Sequence, residues 1–232
     1  DKEHPIKKFR PIAFGSIKIN EALILSILLL FSSICSALNA NNEVLFTIIT
    51  YIVLHLIYCF WGKNKSIADI FFIASGFILR AYAGVVSLNT SPSPWFLITA
   101  GSLALFLAIQ KRKSELIRVS ETSSQINSSR KVLMSYNEKF LENIEMLSLN
   151  SGFISYMLWA SGPILNGAST SNMLITCPVL LMGIFRYQLI SQKRKDGILI
   201  GESPTKILFN DKGIQFILAS LIIMSWFIMR LM

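Results

Sequence analysis

Residues 44–61 read VLFTIITYIVLHLIYCFW, a stretch without a single Asp, Glu, Lys or Arg. As a helix, eighteen residues rise about 27 Å, close to the ~30 Å hydrocarbon core of a bilayer. Apolar and polar side chains do not alternate along the stretch, so it lacks the pattern of a membrane β-strand. It is therefore predicted to be a transmembrane helix.

Six further apolar runs of similar length predict an all-α bundle of seven transmembrane helices, forming one integral membrane domain over residues 1–232. The chain is 53% hydrophobic and 15% charged, whereas soluble domains carry about 25% charged residues. The net charge of +9 does not indicate nucleic-acid binding, because the charges lie in short stretches between the runs. The other runs are 22–38, 69–87, 95–110, 144–161, 173–190 and 214–232.

The basic residues predict how the helices are oriented. Nineteen of the 22 Lys and Arg residues lie in every second connection, and the intervening connections contain none. Because positively charged connections stay cytoplasmic, we expect residues 1–20 in the cytoplasm, the C-terminus outside, and the chain in the cell (inner) membrane. The basic connections are 1–20, 62–68, 111–140 and 191–213, and the others are 39–43, 88–94 and 162–172.

The first candidate cluster precedes the first apolar run, on the expected cytoplasmic side. Asp1 and His4 offer ligands for a metal or a proton, and Lys7 and Arg10 offer partners for phosphate. The alternative is a basic juxtamembrane segment that sets topology and contacts anionic lipid. That alternative leaves the interleaved acids and histidine unexplained.

A second cluster, QKRKSEL at 110–116, follows the fourth run on the same side. In a continuous helix Lys111 and Glu115 share a face, and Arg112 lies about 100° round the axis. The alternative is that Glu115 pairs with Lys111 in solvent. Together the two clusters predict a site for a polyanion with a divalent cation, since Mg²⁺ is held by carboxylates and substrate phosphates.

Two arginines lie inside apolar runs. Arg80 stands in GFILRAYAG, deep in the third run, where a charge is costly and by default functional. The alternative is a structural arginine paired with an acid elsewhere. Arg186, in GIFRYQLI, lies nearer the cytoplasmic end and could reach the interface by snorkelling.

The long connection at 111–143 is predicted to contain an amphipathic helix. Val132, Tyr136, Phe140 and Ile144 recur at i, i+4 spacing. An amphipathic helix of this kind could lie on the lipid surface.

The pattern D-x-x-H-P-x-K-x-x-R-P-I over residues 1–12 resembles the end of the first aspartate-rich motif of the UbiA superfamily, intramembrane prenyltransferases of nine helices. The resemblance implies an N-D-x-x-D element and two helices upstream of Asp1, so we expect an N-terminally truncated chain. DIFFIASGFILRAYAG at 69–84 and K-R-x-x-E at 111–115 resemble the branch that moves a phosphoribosyl group. Most of the superfamily has D-x-x-x-D at the second position.

This branch transfers the group from phosphoribosyl pyrophosphate to a polyprenyl (decaprenyl) phosphate and releases pyrophosphate. The resemblance implies that Asp1 holds Mg²⁺ and that Glu115 orients the ribose or shares the metal. It also implies a helical cap over the cytoplasmic mouth of the bundle, with Arg130 and Tyr136 as its substrate-facing members. Phosphates would be neutralised by Lys7, Arg10, Lys111 and Arg112. The remaining predicted substrate-binding residues are His4, Arg80 and Arg186.

Two other functions fit part of the sequence. An ordinary UbiA prenyltransferase would move a prenyl group from its diphosphate to an aromatic acceptor, but that reaction uses two acidic motifs, and K-R-x-x-E replaces one of them. A non-enzymatic multi-pass transporter would explain the helices and Arg80. It would not explain two mixed-charge clusters on one face of the membrane.

Overall fold

The structure is a computed structural model that describes residues 11–121, 133, 135–195, 198–199 and 204–230. These residues form seven long helices and two short ones, which confirms the predicted all-α bundle. In chain order the helices are α1 (Pro11–Phe14), α2 (Ile19–Leu38), α3 (Asn42–Phe60), α4 (Ala68–Val86), α5 (Pro94–Glu121), α6 (Glu138–Ala160), α7 (Cys177–Ser191), α8 (Pro204–Asn210) and α9 (Lys212–Arg230).

Six segments of the described chain are long and apolar enough to cross a membrane. They comprise α2, α3, α4, most of α5, α9, and α7 together with the 3₁₀ turn Ser171–Thr176 before it. The large apolar side chains of the outer helices point away from the protein. Phe31 on α2, Phe46 on α3 and Phe216 on α9 are all exposed, as expected for surfaces that face lipid.

The seventh long helix, α6, is long enough to cross but is less apolar. Its apolar run was predicted at 144–161, yet the helix begins six residues earlier, at Glu138. The side chain of Asn137 caps this start by accepting the N–H of Lys139 at 3.1 Å. The first turns of α6 therefore include the acids Glu142 and Glu145. Lys113 of α5 pairs with both of them.

The connection predicted at 111–143 is shorter than expected. Helix α5 runs on through its basic residues to Glu121, since Lys, Arg and Glu are good helix formers. The predicted amphipathic helix is not continuous, because Tyr136 precedes the Asn137 cap and only Phe140 and Ile144 lie on α6. Val132 lies outside the described residues.

Helix α5 is central, with α4 on one side and α6 on the other. The α5–α6 interface is the most extensive, and small residues let the two backbones approach closely. A Cβ placed on Gly152 would lie 3.2 Å from the Cβ of Ser102. Ser102 also donates a hydrogen bond to Ser151 at 3.2 Å. Helix α3 packs on α4, α2 packs on α3, and α7 packs on α9.

A two-stranded antiparallel ladder follows α7. It pairs β1 (Arg194–Lys195) with β2 (Ile198–Leu199), Arg194 opposite Leu199. Because each strand has two residues, the ladder does not alter the all-α class.

Gly62 makes the turn between α3 and α4 possible. A Cβ there would lie 2.6 Å from the ring of Phe72, so Gly62→Ala should cost about 1–3 kcal/mol through overpacking. The thermal unfolding midpoint of the protein in nanodiscs measures this. Gly84→Ala is the matched control, since nothing lies within 4 Å of a Cβ at Gly84. Equal midpoints for the two variants would contradict the close packing of Gly62.

Candidate active site

The charged contacts between helices gather at one end of the bundle. Arg112, near the end of α5, reaches Asp69 at the start of α4. Lys113, its neighbour, reaches Glu142 at the start of α6. The same end carries the exposed Lys63 and Lys65, which lie in the turn between α3 and α4.

At this end, four residues form a buried network that we call the acid–base network: Asp69, Arg112, Glu115 and Tyr136. The guanidinium of Arg112 donates from Nε to Oδ2 of Asp69 at 2.7 Å and from Nη1 to Oε2 of Glu115 at 2.5 Å. The Tyr136 hydroxyl donates to Oδ1 of Asp69 at 2.6 Å. Asp69, Arg112 and Glu115 are 0%, 2% and 4% exposed. One cation and two carboxylates are thus desolvated together, which is tolerable only when they are hydrogen-bonded.

Arg112 and its neighbour Lys111 have different environments. Arg112 is enclosed by its two acids, whereas Lys111 is exposed on the same turn of α5. Glu115 is buried against Arg112, so the alternative in which it pairs in solvent is wrong. The structure therefore brings together Arg112, Glu115 and Tyr136 among the predicted site residues, and places Lys111 at their edge.

Tyr136 remains a hydrogen-bond donor at physiological pH. Burial raises the pKa of its hydroxyl well above the usual range, and the hydrogen bond to Asp69 raises this pKa further. The ring stacks on Phe140 with centroids 6.3 Å apart. The resemblance implied a residue facing the substrate, whereas the structure buries Tyr136 against α4.

A second polar cluster joins α5, α6 and α7. Glu145 accepts from Gln110 Nε2 at 2.7 Å and from Gln188 Nε2 at 3.4 Å, and it pairs with Lys113 at 3.5 Å. Beside it, the buried Tyr187 packs edge-on against a ring of α5. Its hydroxyl has no hydrogen-bond partner within the described part of the chain.

Arg186 joins α7 to the start of α9. Its Nε lies 2.7 Å from Oδ1 of Asp211, and the same carboxylate oxygen accepts the N–H of Ile214 at 2.7 Å. The hydrogen bond from Arg186 lowers the pKa of Asp211, and so does the one from Ile214. Arg186 thus has an acid partner near the expected cytoplasmic end.

Arg80 lies outside the acid–base network. It is eleven residues beyond Asp69 on α4, or about 16 Å along the helix axis. It donates to the Tyr51 hydroxyl at 2.5 Å and lies over the rings of Tyr51 and Phe77, at 5.2 and 5.3 Å. Among the described residues, the contacts of the Arg80 guanidinium are therefore with aromatic side chains and not with an acid.

The described residues do not by themselves fit a magnesium ion. No group of three or more His, Cys, Asp or Glu in the described ranges is arranged to hold a metal. The two acids of the acid–base network, Asp69 and Glu115, are both bound to Arg112. Asp1, the predicted ligand, lies outside the described residues, as do His4, Lys7, Arg10 and Arg130.

Sequence reasoning missed Asp69, Lys113 and Glu145 as members of this end of the bundle. One feature could have indicated that Asp69 belongs to the site. It is an acid at the boundary of an apolar run, beside a basic connection. Its pairing with Arg112 spans 43 residues and depends on how α4 and α5 pack. Spacing within the sequence could not reveal it.

Comparison with known proteins agrees with this architecture. Residues 1–199 match the UbiA prenyltransferase family. Over 94% of its length the chain is 33% identical to the decaprenyl-phosphate phosphoribosyltransferase of Mycolicibacterium smegmatis, covering 68% of that protein. It is 37% identical to the protein of the same name from Corynebacterium glutamicum, covering 68% of this chain and 48% of that protein. The chain thus spans about half to two thirds of these relatives.

The fold also matches a solved structure. A UbiA homologue from Archaeoglobus fulgidus, bound to DMAPP and Mg²⁺, superposes with a TM-score of 0.61 over 97% of this chain and 74% of that one, at 19% identity. The likeness shows the fold, and the predicted resemblance is confirmed by the family match and the curated relatives. The chain belongs to the UbiA prenyltransferase family.

Proposed function

We propose that the protein is a membrane transferase that moves a 5-phosphoribosyl group from phosphoribosyl pyrophosphate to a polyprenyl phosphate, such as decaprenyl phosphate. Two curated relatives, at 33% and 37% identity, carry the name of that activity. The donor would bind at the end of the bundle that holds the acid–base network, which we assign to the cytoplasmic side.

The observation that carries the proposal is the pairing of Arg112 with both Asp69 and Glu115. Most of the superfamily has two acids four residues apart here, but this chain has Lys111 and Glu115. Glu115 is buried and paired with Arg112, and Lys111 replaces the other acid, so this end is less acidic than a site that binds a diphosphate between two acidic motifs. Exposed lysines at the same end suit a highly charged donor.

The reaction requires little from the protein beyond positioning and charge. An oxygen of the acceptor phosphate attacks C1 of the ribose. The bond from C1 to the pyrophosphate oxygen breaks, and its electron pair leaves with pyrophosphate. Because the acceptor is already anionic, no general base is needed. Cations that contact the departing pyrophosphate stabilise the charge that develops on it.

We assign roles to the charged residues of this end according to whether their side chains are exposed or buried. Lys111 binds a donor phosphate directly, with Lys7 and Arg10 as further candidates from the N-terminal cluster. Arg112 orients the two buried acids. Glu115 fixes Arg112, and its predicted contact with the ribose remains part of the proposal. Mg²⁺ would add positive charge on the pyrophosphate with Asp1 as a ligand, but no role assigned to the described residues depends on it.

The other four predicted substrate-binding residues are assigned to the donor site, to its border, or to the membrane-embedded region. His4 and Arg130 would contact the donor from the N-terminal cluster and the connection before α6. Arg186, held by Asp211, would border the donor site from α7. Arg80 is too far along α4 to meet the donor phosphates, so we assign it to the membrane-embedded part of the acceptor or to packing.

A transfer assay with the full-length protein in membranes tests the function. Radiolabelled phosphoribosyl pyrophosphate with decaprenyl phosphate should give a labelled lipid, and a labelled prenyl diphosphate with an aromatic acid should give no product. Transfer from the prenyl diphosphate, with no ribosyl lipid formed, would favour the ordinary prenyltransferase. Absence of both products would favour the transporter.

The orientation of the bundle gives a separate prediction. With Cys35, Cys59 and Cys177 replaced, single cysteines at 39–43, 88–94 or 162–172 should react with an impermeant thiol reagent added to intact cells. Within 111–117, a single cysteine at the exposed position Lys111 should react only after the membrane is opened, because basic connections stay cytoplasmic. Outside labelling at 111–117 would reverse the proposed orientation.

A further inference from the structure

The segment before α6 is joined to the turn before α4 by two side-by-side contacts. The hydroxyls of Ser66 and Ser135 are 2.5 Å apart. The backbone N–H of Ile67 donates to the Tyr136 hydroxyl at 2.6 Å. We call these four residues, Ser66, Ile67, Ser135 and Tyr136, the clasp. It connects positions almost 70 residues apart, immediately beside the acid–base network.

The clasp holds a strained turn. Ile67 has φ 67° and ψ −49°, and the N–H of Ala68 donates to the carbonyl of Ser66 at 2.7 Å. This is a three-residue γ-turn of the rare, strained sign. A β-branched residue is disfavoured at positive φ, and such a conformation persists only when the surrounding structure fixes it. Tyr136 supplies that restraint, because its hydroxyl binds the N–H of the strained residue.

The turn determines where the first acid of the network lies. Asp69 follows Ile67 by two residues, in the first turn of α4. The single proton of the Tyr136 hydroxyl is donated to Oδ1 of Asp69, and the other oxygen of that carboxylate binds Arg112. Tyr136 therefore contacts both the turn and the acid that the turn presents, and its proton is not available to a substrate.

We propose that Tyr136 is a positioning residue whose hydroxyl fixes the turn at Ile67 and the carboxylate of Asp69, and through them the orientation of Arg112 and Glu115. The inference rests on the proposed function only in placing the donor beside this network. Tyr136 acts through Asp69 rather than by touching the donor.

The first test needs no substrate. Tyr136→Phe keeps the ring, its stacking on Phe140 and its packing, and removes only the hydroxyl. Losing its hydrogen-bond partner, the Tyr136 hydroxyl, should speed hydrogen exchange at the Ile67 amide by about five- to a hundredfold, measured by mass spectrometry of the protein in nanodiscs. Tyr156→Phe is the matched control, because Tyr156 also uses its hydroxyl, on Thr176 at 2.6 Å. Unchanged exchange at Ile67 in Tyr136→Phe would overturn the proposal.

The second test measures positioning. Tyr136→Phe should lower kcat/KM for phosphoribosyl pyrophosphate at least tenfold while KM for decaprenyl phosphate stays within about twofold. If the wild-type protein uses a prenyl diphosphate instead, the same comparison is made with that donor, so the proposed substrate can fail without deciding the role of Tyr136. Equal kcat/KM for wild type and Tyr136→Phe, with Ile67 exchange raised, would overturn the positioning role.

A covalent substitute for the hydrogen bonds completes the test. Because the hydroxyl oxygens of Ser66 and Ser135 are 2.5 Å apart, we expect cysteines at these two positions to bring their sulfur atoms close enough to form a disulfide. In a background without Cys35, Cys59 and Cys177, Ser66→Cys with Ser135→Cys should restore most of the kcat/KM lost in Tyr136→Phe, and reduction should remove the gain. A disulfide that forms without restoring kcat/KM would contradict the proposal. A disulfide that blocks turnover when Tyr136 is present would also contradict it, since the clasp would then have to open.

Discussion

Arg112→Ala should lower the stability of the protein by about 3–5 kcal/mol, the cost of breaking a buried ion pair by removing one partner. The substitution leaves the carboxylates of Asp69 and Glu115 without their cation in a site that is almost fully buried. The measurement is the thermal unfolding midpoint of the protein in nanodiscs. Phosphoribosyl transfer should also fall below detection, because the two acids lose their orientation.

Arg186→Ala is the matched control for Arg112→Ala. It removes another arginine from a pair with an aspartate, but the Arg186 side chain is 42% exposed, and water can solvate the Asp211 left behind. Its unfolding midpoint should therefore stay close to that of the wild-type protein. If Arg112→Ala and Arg186→Ala shifted the midpoint equally, the buried network would not be the stabilising element that its contacts indicate.

Lys111→Ala should reduce kcat/KM for phosphoribosyl pyrophosphate by roughly ten- to a hundredfold, with little change in the unfolding midpoint. Losing one charge-assisted phosphate contact costs about 1.5–3 kcal/mol, which appears in kcat/KM. Lys111 is exposed, and its removal leaves Arg112 in place as the cation that pairs with Asp69 and Glu115. Steady-state kinetics with varied donor, in membranes of fixed protein content, measures the effect.

Lys18→Ala separates this local effect from a general loss of positive charge. Lys18 precedes α2, which packs mainly on α3, and its removal changes the net charge by the same amount. Its kcat/KM should stay within about twofold of the wild-type value. Equal losses in Lys18→Ala and Lys111→Ala would show that Lys111 only contributes to long-range attraction of the donor.

The membrane helices could be predicted from the sequence because their formation depends on local composition. The run at 44–61 corresponds to α3 at Asn42–Phe60, and the difference at its start comes from the cap, where Asn41 accepts the N–H of Val44. The start of α6 could not be predicted from hydropathy, because Lys113 of another helix pairs with Glu142 and Glu145.

The active-site prediction was limited by the same long-range contacts. The K-R-x-x-E pattern identified Arg112 and Glu115, but gave them a phosphate and a ribose or metal as partners. Their observed partners are each other and Asp69, an acid whose position depends on the packing of α4 against α5. Arg80 shows the same limit, because its guanidinium lies over the rings of Tyr51 and Phe77, whereas the structural alternative paired it with an acid.

The most direct measurement of the central claim is the mass of the lipid product formed when the possible substrates compete. The full-length protein in nanodiscs receives phosphoribosyl pyrophosphate, a prenyl diphosphate, decaprenyl phosphate and an aromatic acid together. We predict one new lipid, heavier than decaprenyl phosphate by one ribose 5-phosphate less one water, with one pyrophosphate released per lipid formed. A prenylated aromatic acid, with decaprenyl phosphate unchanged, would contradict the proposed function.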